Sequence, residues 1–387
     1  MKQTDTKKFS RAQAAIAVAL LAGAAVTACS MLAPSGKQVT EDAYVDGNVV
    51  QLTPQVSGSV TSIGADNTDY VRAGQVLVQL NEVDAQLALA RAEAQLSKTV
   101  RQVRAQFSNA DQFRANVRLR AADLARAEAD LARRRGLTQS GAISDEEVRH
   151  AEDAVSTARA ALTVAEQQQA GAGALVDRTS INDHPDVQAA IAQLREAYIA
   201  SARTTLRAPV SGLVTKRNVQ LGQRVNAGAA LIAIVPPEQM WVNANFKESQ
   251  LGDIRIGQTV TLWADVYGKS VPYTGRVIGQ DAGTGSALAL LPAQNATGNW
   301  IKVVQRVPIR IALEPTQLAA HPLKLGLSMH VEVNTADRSG AVAMHTVATH
   351  PAYTTDVFDH ELEQADRLVE RTIASGRGDV AVAEAKK

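Results

Sequence analysis

Few residues in this 387-residue chain have the types and spacings that covalent chemistry needs. Seven histidines (His150, His184, His321, His330, His345, His350 and His360) never fall at the tight spacing of a metal-ligand set. Cys29 is the single cysteine, so neither an intramolecular disulfide nor a cysteine-based metal site can form. No G-x-S-x-G, H-E-x-x-H, P-loop or G-x-G-x-x-G pattern occurs. Asn295-Ala296-Thr297 matches a glycosylation acceptor, but three residues are weak support. Arg133-Arg134-Arg135 is basic, yet it lacks the aromatic platform on which nucleotides stack. The residues therefore predict a protein that binds and positions, with no enzymatic activity, cofactor, metal or nucleic-acid partner.

The elements that would do the positioning begin at the N-terminus. Lys2, Lys7, Lys8 and Arg11 precede an uncharged run from Ala12 to Gly36, the layout of a secretory signal or a single membrane anchor. The run is long enough to span a bilayer as one helix. Alternatively, Val26-Thr27-Ala28-Cys29 is similar to a bacterial lipobox, in which Cys29 carries the lipid. Either anchor leaves the chain after about residue 37 outside the cytoplasm and tied to a membrane. With Lys and Arg at 40 and Asp and Glu at 39, no global field recruits nucleic acid or an anionic surface.

A repeat split by a long insert dominates the rest. Residues 54–78 and 209–233 share a V-S-G-x-V block followed by V-x-x-G. Gly58 to Gly74 spans the same distance as Gly212 to Gly228, and each position answers one 154 residues later (212 − 58). Two copies of one β unit at such a separation predict two halves of one domain. The sequence between them must then stand out from a clamped base.

That insert reads as helix. No Gly or Pro occurs between Glu82 and Gly136, and Leu89, Leu96, Val103, Ala110, Val117, Leu124 and Leu131 recur every seven residues. Val100, Phe107 and Ala121 partly fill the second seam line, which Arg114, Glu128 and Arg135 interrupt. Such an arm would reach on the order of 80 Å. A break at Ser140-Gly141-Ala142 and a cap at Ser144 start a return arm, with Val148, Val155 and Leu162 on one line and Ala151, Ala158 and Ala165 on the other. Residues 171–186 interrupt this arm, and it resumes near Val187. From 237 to 335, alternating apolar segments with Gly-rich punctuation predict a small β-barrel.

The predicted fold is α+β and elongated: a split lipoyl/biotinyl-like β domain carrying a long antiparallel coiled-coil hairpin, followed by a β-barrel, behind an N-terminal membrane anchor. The boundaries are 1–36 for the anchor, 37–81 and 207–236 for the split domain, and 82–206 for the hairpin. The barrel takes 237–335, and 336–387 is a tail with a short helix near 356–374.

The paired halves resemble a biotinyl/lipoyl domain. Carrier proteins of that fold present a lysine at the turn between the halves. Here Gln79-Leu80-Asn81-Glu82-Val83-Asp84 holds none, which disfavours the alternative of an enzyme's carrier subunit. Arg133, Leu137 and Ser144 at the hairpin tip resemble the motif by which periplasmic adaptors dock an outer-membrane channel, although Arg134 stands where that motif has Leu. Together these parts resemble the HlyD-type membrane fusion (periplasmic adaptor) proteins. Trp241-Val242-Asn243-Ala244-Asn245-Phe246-Lys247-Glu248 narrows the resemblance to the EmrA-type branch, as do Gly283–Ser286 and Leu290–Arg306, with Leu288-Ala289 in place of Phe-Ser. Glu41–Val45 also fits that family's first strand.

The resemblance implies an adaptor in a tripartite multidrug efflux pump. Its partners would be an inner-membrane major facilitator transporter of the EmrB type, a TolC-like outer-membrane channel and further copies of itself in a ring. Arg133, Leu137 and Ser144 would contact the channel. Trp241, Asn245, Phe246, Lys247, Glu248, Gln294, Asn295, Gly298, Asn299, Trp300, Lys302 and Arg306 would set the barrel and its oligomer contacts. The alternative within transport is an adaptor of another exporter, such as a type I secretion system.

Overall fold

A computed structural model describes residues 36–138, 142–288, 304–342 and 349–377. The described residues open on β1 (Lys37–Gly47), followed by β2 (Val50–Leu52), β3 (Gly58–Ile63), β4 (Tyr70–Val71) and β5 (Val76–Leu80). Three helices follow: α1 (Val83–Thr138), α2 (Asp145–Ala174) and α3 (Pro185–Ala202). Strands β6 (Thr205–Arg207), β7 (Gly212–Arg217), β8 (Arg224–Val225) and β9 (Ile232–Val235) come next. Then come β10 (Met240–Lys247), β11 (Thr259–Ala264), β12 (Pro272–Gln280), β13 (Arg306–Leu313) and β14 (Ser328–Asn334), and finally helix α4 (Glu361–Arg377). The elements form two compact units, one containing 36–50 with 234–354 and the other 51–233 with the chain from 355.

The first unit is a closed barrel in the order β1-β10-β13-β12-β11-β14. Alternation of apolar and polar residues along each strand puts Val242, Ala244, Phe246, Leu262, Tyr273, Ile309, Ile311, Val331 and Val333 inside. Each large side chain buried there contributes about 1.5–3 kcal/mol. At Gly275 a Cβ would lie 2.6 Å from the Ala312 carbonyl oxygen, so only glycine fits that strand crossing. One expectation is corrected in this unit. Lys37–Gly47 does not belong to the lipoyl-like half: it pairs with β10 and β14 and closes the barrel. Its buried Thr40, Ala43 and Val45 face the barrel core. A two-residue period identifies a strand but not the sheet that it joins.

In the second unit the two sequence halves interleave. The sheets run β2-β9-β7-β4 and β6-β5-β3-β8, so each sheet takes strands from both halves. Gly58 pairs with Val225 and, in the repeat, Gly212 pairs with Val71. Hydrogen bonds repeat likewise: Val60 N–H donates to the Gln223 carbonyl and Val214 N–H to that of Asp69, both at 2.9 Å.

The helices leave this module directly. The Asn81 side chain accepts from the Val83 N–H at 3.0 Å and opens α1, where a carrier domain would make its turn. At the other foot, Leu80 N–H donates to the Thr204 carbonyl at 2.9 Å. With 56 residues, α1 is about 84 Å long. Its seven-residue line is the least exposed, with Leu96, Val103 and Ala110 buried. The polar breaks in the second line have a cause. Glu128 pairs with Arg159 at 3.1 Å and Arg135 with Glu152 at 2.5 Å, tying the two arms in one register (128 + 159 = 135 + 152 = 287).

Two further details differ from the sequence reading. Helix α2 continues to Ala174, through Gly171 and Gly173, because the surrounding alanines favour helix and nothing crowds either glycine. The interruption therefore covers only 175–184, where His184 is buried. Its Nδ1 accepts from the Asp186 N–H and its Nε2 lies 3.1 Å from the Leu175 carbonyl, so it caps α3. The C-terminal helix begins at Glu361 rather than near 356, and it does not lie apart. Val369 and Ile373 join Leu96, Val100, Val187, Ile191 and Leu194 in one core.

Candidate functional site

The hairpin tip is built by the end of α1 and the start of α2. Gly136, Leu137 and Thr138 close α1, and residues 139–141 lie outside the described residues. The Ala142 N–H donates to the Leu137 carbonyl at 3.2 Å, folding the chain back. Ser144 then caps α2: its hydroxyl accepts from the Glu147 N–H, and the Glu147 carboxylate accepts from the Ser144 N–H, both at 3.3 Å. Asp145, Glu146 and Glu147 in the first turn favour the positive end of the helix dipole.

Of the three tip residues singled out in sequence, two present side chains outward. Leu137 is 50% exposed, an unusual place for a leucine that only closes a seam. The Arg133 side chain is 71% exposed and holds Asp130 at 3.0 Å. Arg134, in the place where the docking motif has Leu, also reaches Asp130, at 2.9 Å. One carboxylate therefore restrains two guanidiniums. Ser144 is exposed, but its hydroxyl is committed to the cap.

The barrel signature divides by strand parity. Phe246 is fully buried in the barrel, so it sets the fold and cannot be an outer contact. Trp241, Asn245 and Lys247 lie on the other face of β10. Arg310 stacks its guanidinium 3.6 Å over the Trp241 ring, and the Trp241 indole N–H donates to Asn243 at 3.0 Å. Asn245 donates to the Asp42 carboxylate at 3.1 Å, which Arg306 also meets at 3.0 Å. The Lys247 N–H donates to Gln250 and the Glu248 N–H to the Gln305 carbonyl, stitching the end of β10. Gln294, Asn295, Gly298, Asn299, Trp300 and Lys302 lie outside the described residues, as does Cys29. No described helix is long and apolar enough to cross a membrane.

Sequence reading assigned no partner to the C-terminal helix. Arg195 on α3 meets Asp366 at 2.7 Å, and Tyr198 donates to Gln364 at 2.8 Å. Thr355, ahead of the helix, donates to the Pro209 carbonyl at 2.8 Å. The available signal was Leu362, Ala365, Val369 and Ile373, an apolar stripe at helical spacing. Among the described residues no cluster of His, Cys, Asp and Glu could hold a metal ion.

Comparison with known proteins agrees with this scaffold. Residues 83–204 match the family model described as the EMRA alpha-helical hairpin domain. The chain is 45% identical over 339 residues to the multidrug export protein EmrA of Escherichia coli (strain K12), covering 88% of this chain and 87% of that protein. It is 48% identical over 335 residues to the fatty acid resistance protein FarA of Neisseria gonorrhoeae, covering 86% and 84%. With the probable multidrug resistance protein EmrK of E. coli it shares 44% over 338 residues, 87% of each. On that identity and coverage, the chain belongs to the EmrA-type branch of the HlyD-type membrane fusion (periplasmic adaptor) proteins.

Proposed function

We propose that this chain is the periplasmic adaptor of a tripartite multidrug efflux pump, joining an EmrB-type major facilitator transporter in the inner membrane to a TolC-like outer-membrane channel. The observation that carries this reading is the hairpin's origin. Both arms leave one module closed by strands from both halves, so the tip is held by a fixed base. Such an object transmits position and does no covalent chemistry. Residues 1–36 anchor it to the inner membrane, through a single helix or through lipid on Cys29.

At the tip, exposed Leu137 and Arg133 meet the channel, while Ser144 keeps α2 wound up to the contact. On the barrel, the outward row of Trp241, Asn245, Lys247 and Arg306 serves contacts between copies in a ring more readily than drug binding, because Asn245 and Arg306 already hold the Asp42 carboxylate and Trp241 already holds Asn243 and Arg310. The names of the relatives point to multidrug export and fatty-acid resistance as the activities to test.

Deleting the gene should sensitise cells to several unrelated hydrophobic drugs, or to long-chain fatty acids, and re-expression of the full chain should restore tolerance. Unchanged tolerance to the whole panel on deletion would contradict the proposal.

A further inference from the structure

The hairpin meets its module at two short junctions, Asn81–Glu82 before α1 and Arg203–Thr204 after α3. The Leu80 N–H donates to the Thr204 carbonyl at 2.9 Å, which sets the junctions side by side. Hinges form at such element-terminal residues. Two adjacent attachments define a line about which a rod of about 84 Å can rock.

Helix α4 supplies a third attachment away from that line. Near the foot, Thr355 donates to the Pro209 carbonyl of the module at 2.8 Å, and Glu361 meets Arg203 at 3.5 Å. Midway, Asp366 holds Arg195 at 2.7 Å. At the far end, the Arg377 carbonyl accepts from Arg104 on α1, and the Arg377 guanidinium donates to Asn182 in the link between α2 and α3. Arg104 lies 21 residues into α1 (104 − 83), about 32 Å from its foot. Between these ties Ala365, Val369 and Ile373 are buried, and a Cβ on Gly376 would come within 3.1 Å of Val100.

We propose that α4 is a strut that fixes the angle at which the hairpin stands on the split module. Packing of α1 against α2 and α3 holds the arms together and leaves the pair free to pivot at its feet. A helix tied to the module below and to α1 higher up removes that freedom, as a brace does for a hinged post. The buried stripe supplies the attraction, and the charged pairs set where along α3 it seats. Close-packed side chains fit in discrete arrangements, so a seated α4 admits one angle rather than a range. The inference deepens the adaptor reading, because a tip that must meet a partner needs a set direction.

The test uses the full-length chain in its membrane, with spin labels replacing exposed Lys216 in the module and exposed Gln112 on α1, beyond the last tie. Dilution with unlabelled protein removes signal between copies, and single-label samples account for Cys29. The parent should give one narrow distance peak. Val369→Asp, which buries an unpaired charge under α4, should replace that peak with a broad distribution, and a stop after Thr354 should do the same. Hydrogen exchange on the same samples should rise in α4 and stay at the parent's level in α2. A peak that remains narrow once α4 is released would overturn the proposal. So would exchange that rises throughout α1 and α2, because α4 would then hold the hairpin's fold rather than its angle. The two readings separate. Broadening in cells whose drug tolerance ignores the gene would keep the strut and sink the adaptor role. Tolerance that depends on the gene, with no broadening, would do the reverse.

Discussion

Thr68 and Gly222, related by the 154-residue repeat (222 − 68), hold the same left-handed backbone conformation, with φ of 74° and 76°. The turn demands that conformation in both halves. The Thr68 N–H donates to the Val214 carbonyl and the Gly222 N–H to the Val60 carbonyl, both at 2.9 Å. Glycine adopts it freely, whereas a β-branched residue is strained there. Thr68→Gly should therefore stabilise the module, by about 0.5–1 kcal/mol after the entropy that glycine adds to the unfolded chain. Gly222→Thr should destabilise it by at least as much. Chemical denaturation of both variants checks the pair of signs.

The C-terminal helix should prove to be part of the hairpin's base. Ile373→Ala opens a cavity against the core that Leu96 and Leu194 share, at a cost of about 2–4 kcal/mol. Hydrogen exchange should then rise along α4 and the facing parts of α1 and α3, with the barrel unchanged. Arg195→Ala removes a half-exposed ion pair, and its effect should stay under about 1 kcal/mol.

At the tip, two neighbouring substitutions should separate stability from docking. Ser144→Ala loses the cap and should cost about 1 kcal/mol, with faster exchange in the first turn of α2. Leu137→Asp alters a half-exposed side chain and should change stability by less than about 0.5 kcal/mol. If Leu137 meets the channel, only that variant loses drug tolerance while keeping a native melting curve.

Tyr273 gives the barrel an alkaline limit. The side chain is fully buried, and its hydroxyl donates to the His321 carbonyl at 2.9 Å. Burial, and to a smaller extent neighbouring Tyr267, push its phenol up to about 12 from an ordinary 10.0. A raised value means that the fold favours the neutral phenol. That stability is complete below about pH 10 and is lost as pH rises towards 12, amounting to about 2–3 kcal/mol. Tyr273→Phe should flatten the decline between pH 10 and 12 relative to the parent, read from denaturation midpoints.

How far the sequence revealed the fold depended on whether a pattern named its own partner. The 154-residue repeat did, because two halves with equal spacing can satisfy each other's hydrogen bonds, as Gly58–Val225 and Gly212–Val71 do. The seven-residue lines did as well, since a short break between two such arms forces them antiparallel. Glu128 and Arg135 looked like defects until Arg159 and Glu152 were seen across the hairpin. Strand Lys37–Gly47 and helix Glu361–Arg377 carried clear periods but no address. Each joins elements more than a hundred residues away, and a period alone cannot choose among distant faces. The candidate site was legible only in part. Leu137 and Arg133 stood out by type and place, whereas the burial of Phe246 within an otherwise outward-looking signature needed the strand's parity.

Spin labels replacing Tyr70 and Leu213 address the base of the hairpin most directly, because these positions lie 143 residues apart in sequence (213 − 70) and opposite each other on paired strands. Dilution with unlabelled protein removes contributions from neighbouring copies. Strong dipolar broadening, from backbones roughly 5 Å apart, is the predicted result. Spectra of two non-interacting labels, more than about 25 Å apart, would mean that the halves do not close and that nothing holds the hairpin upright.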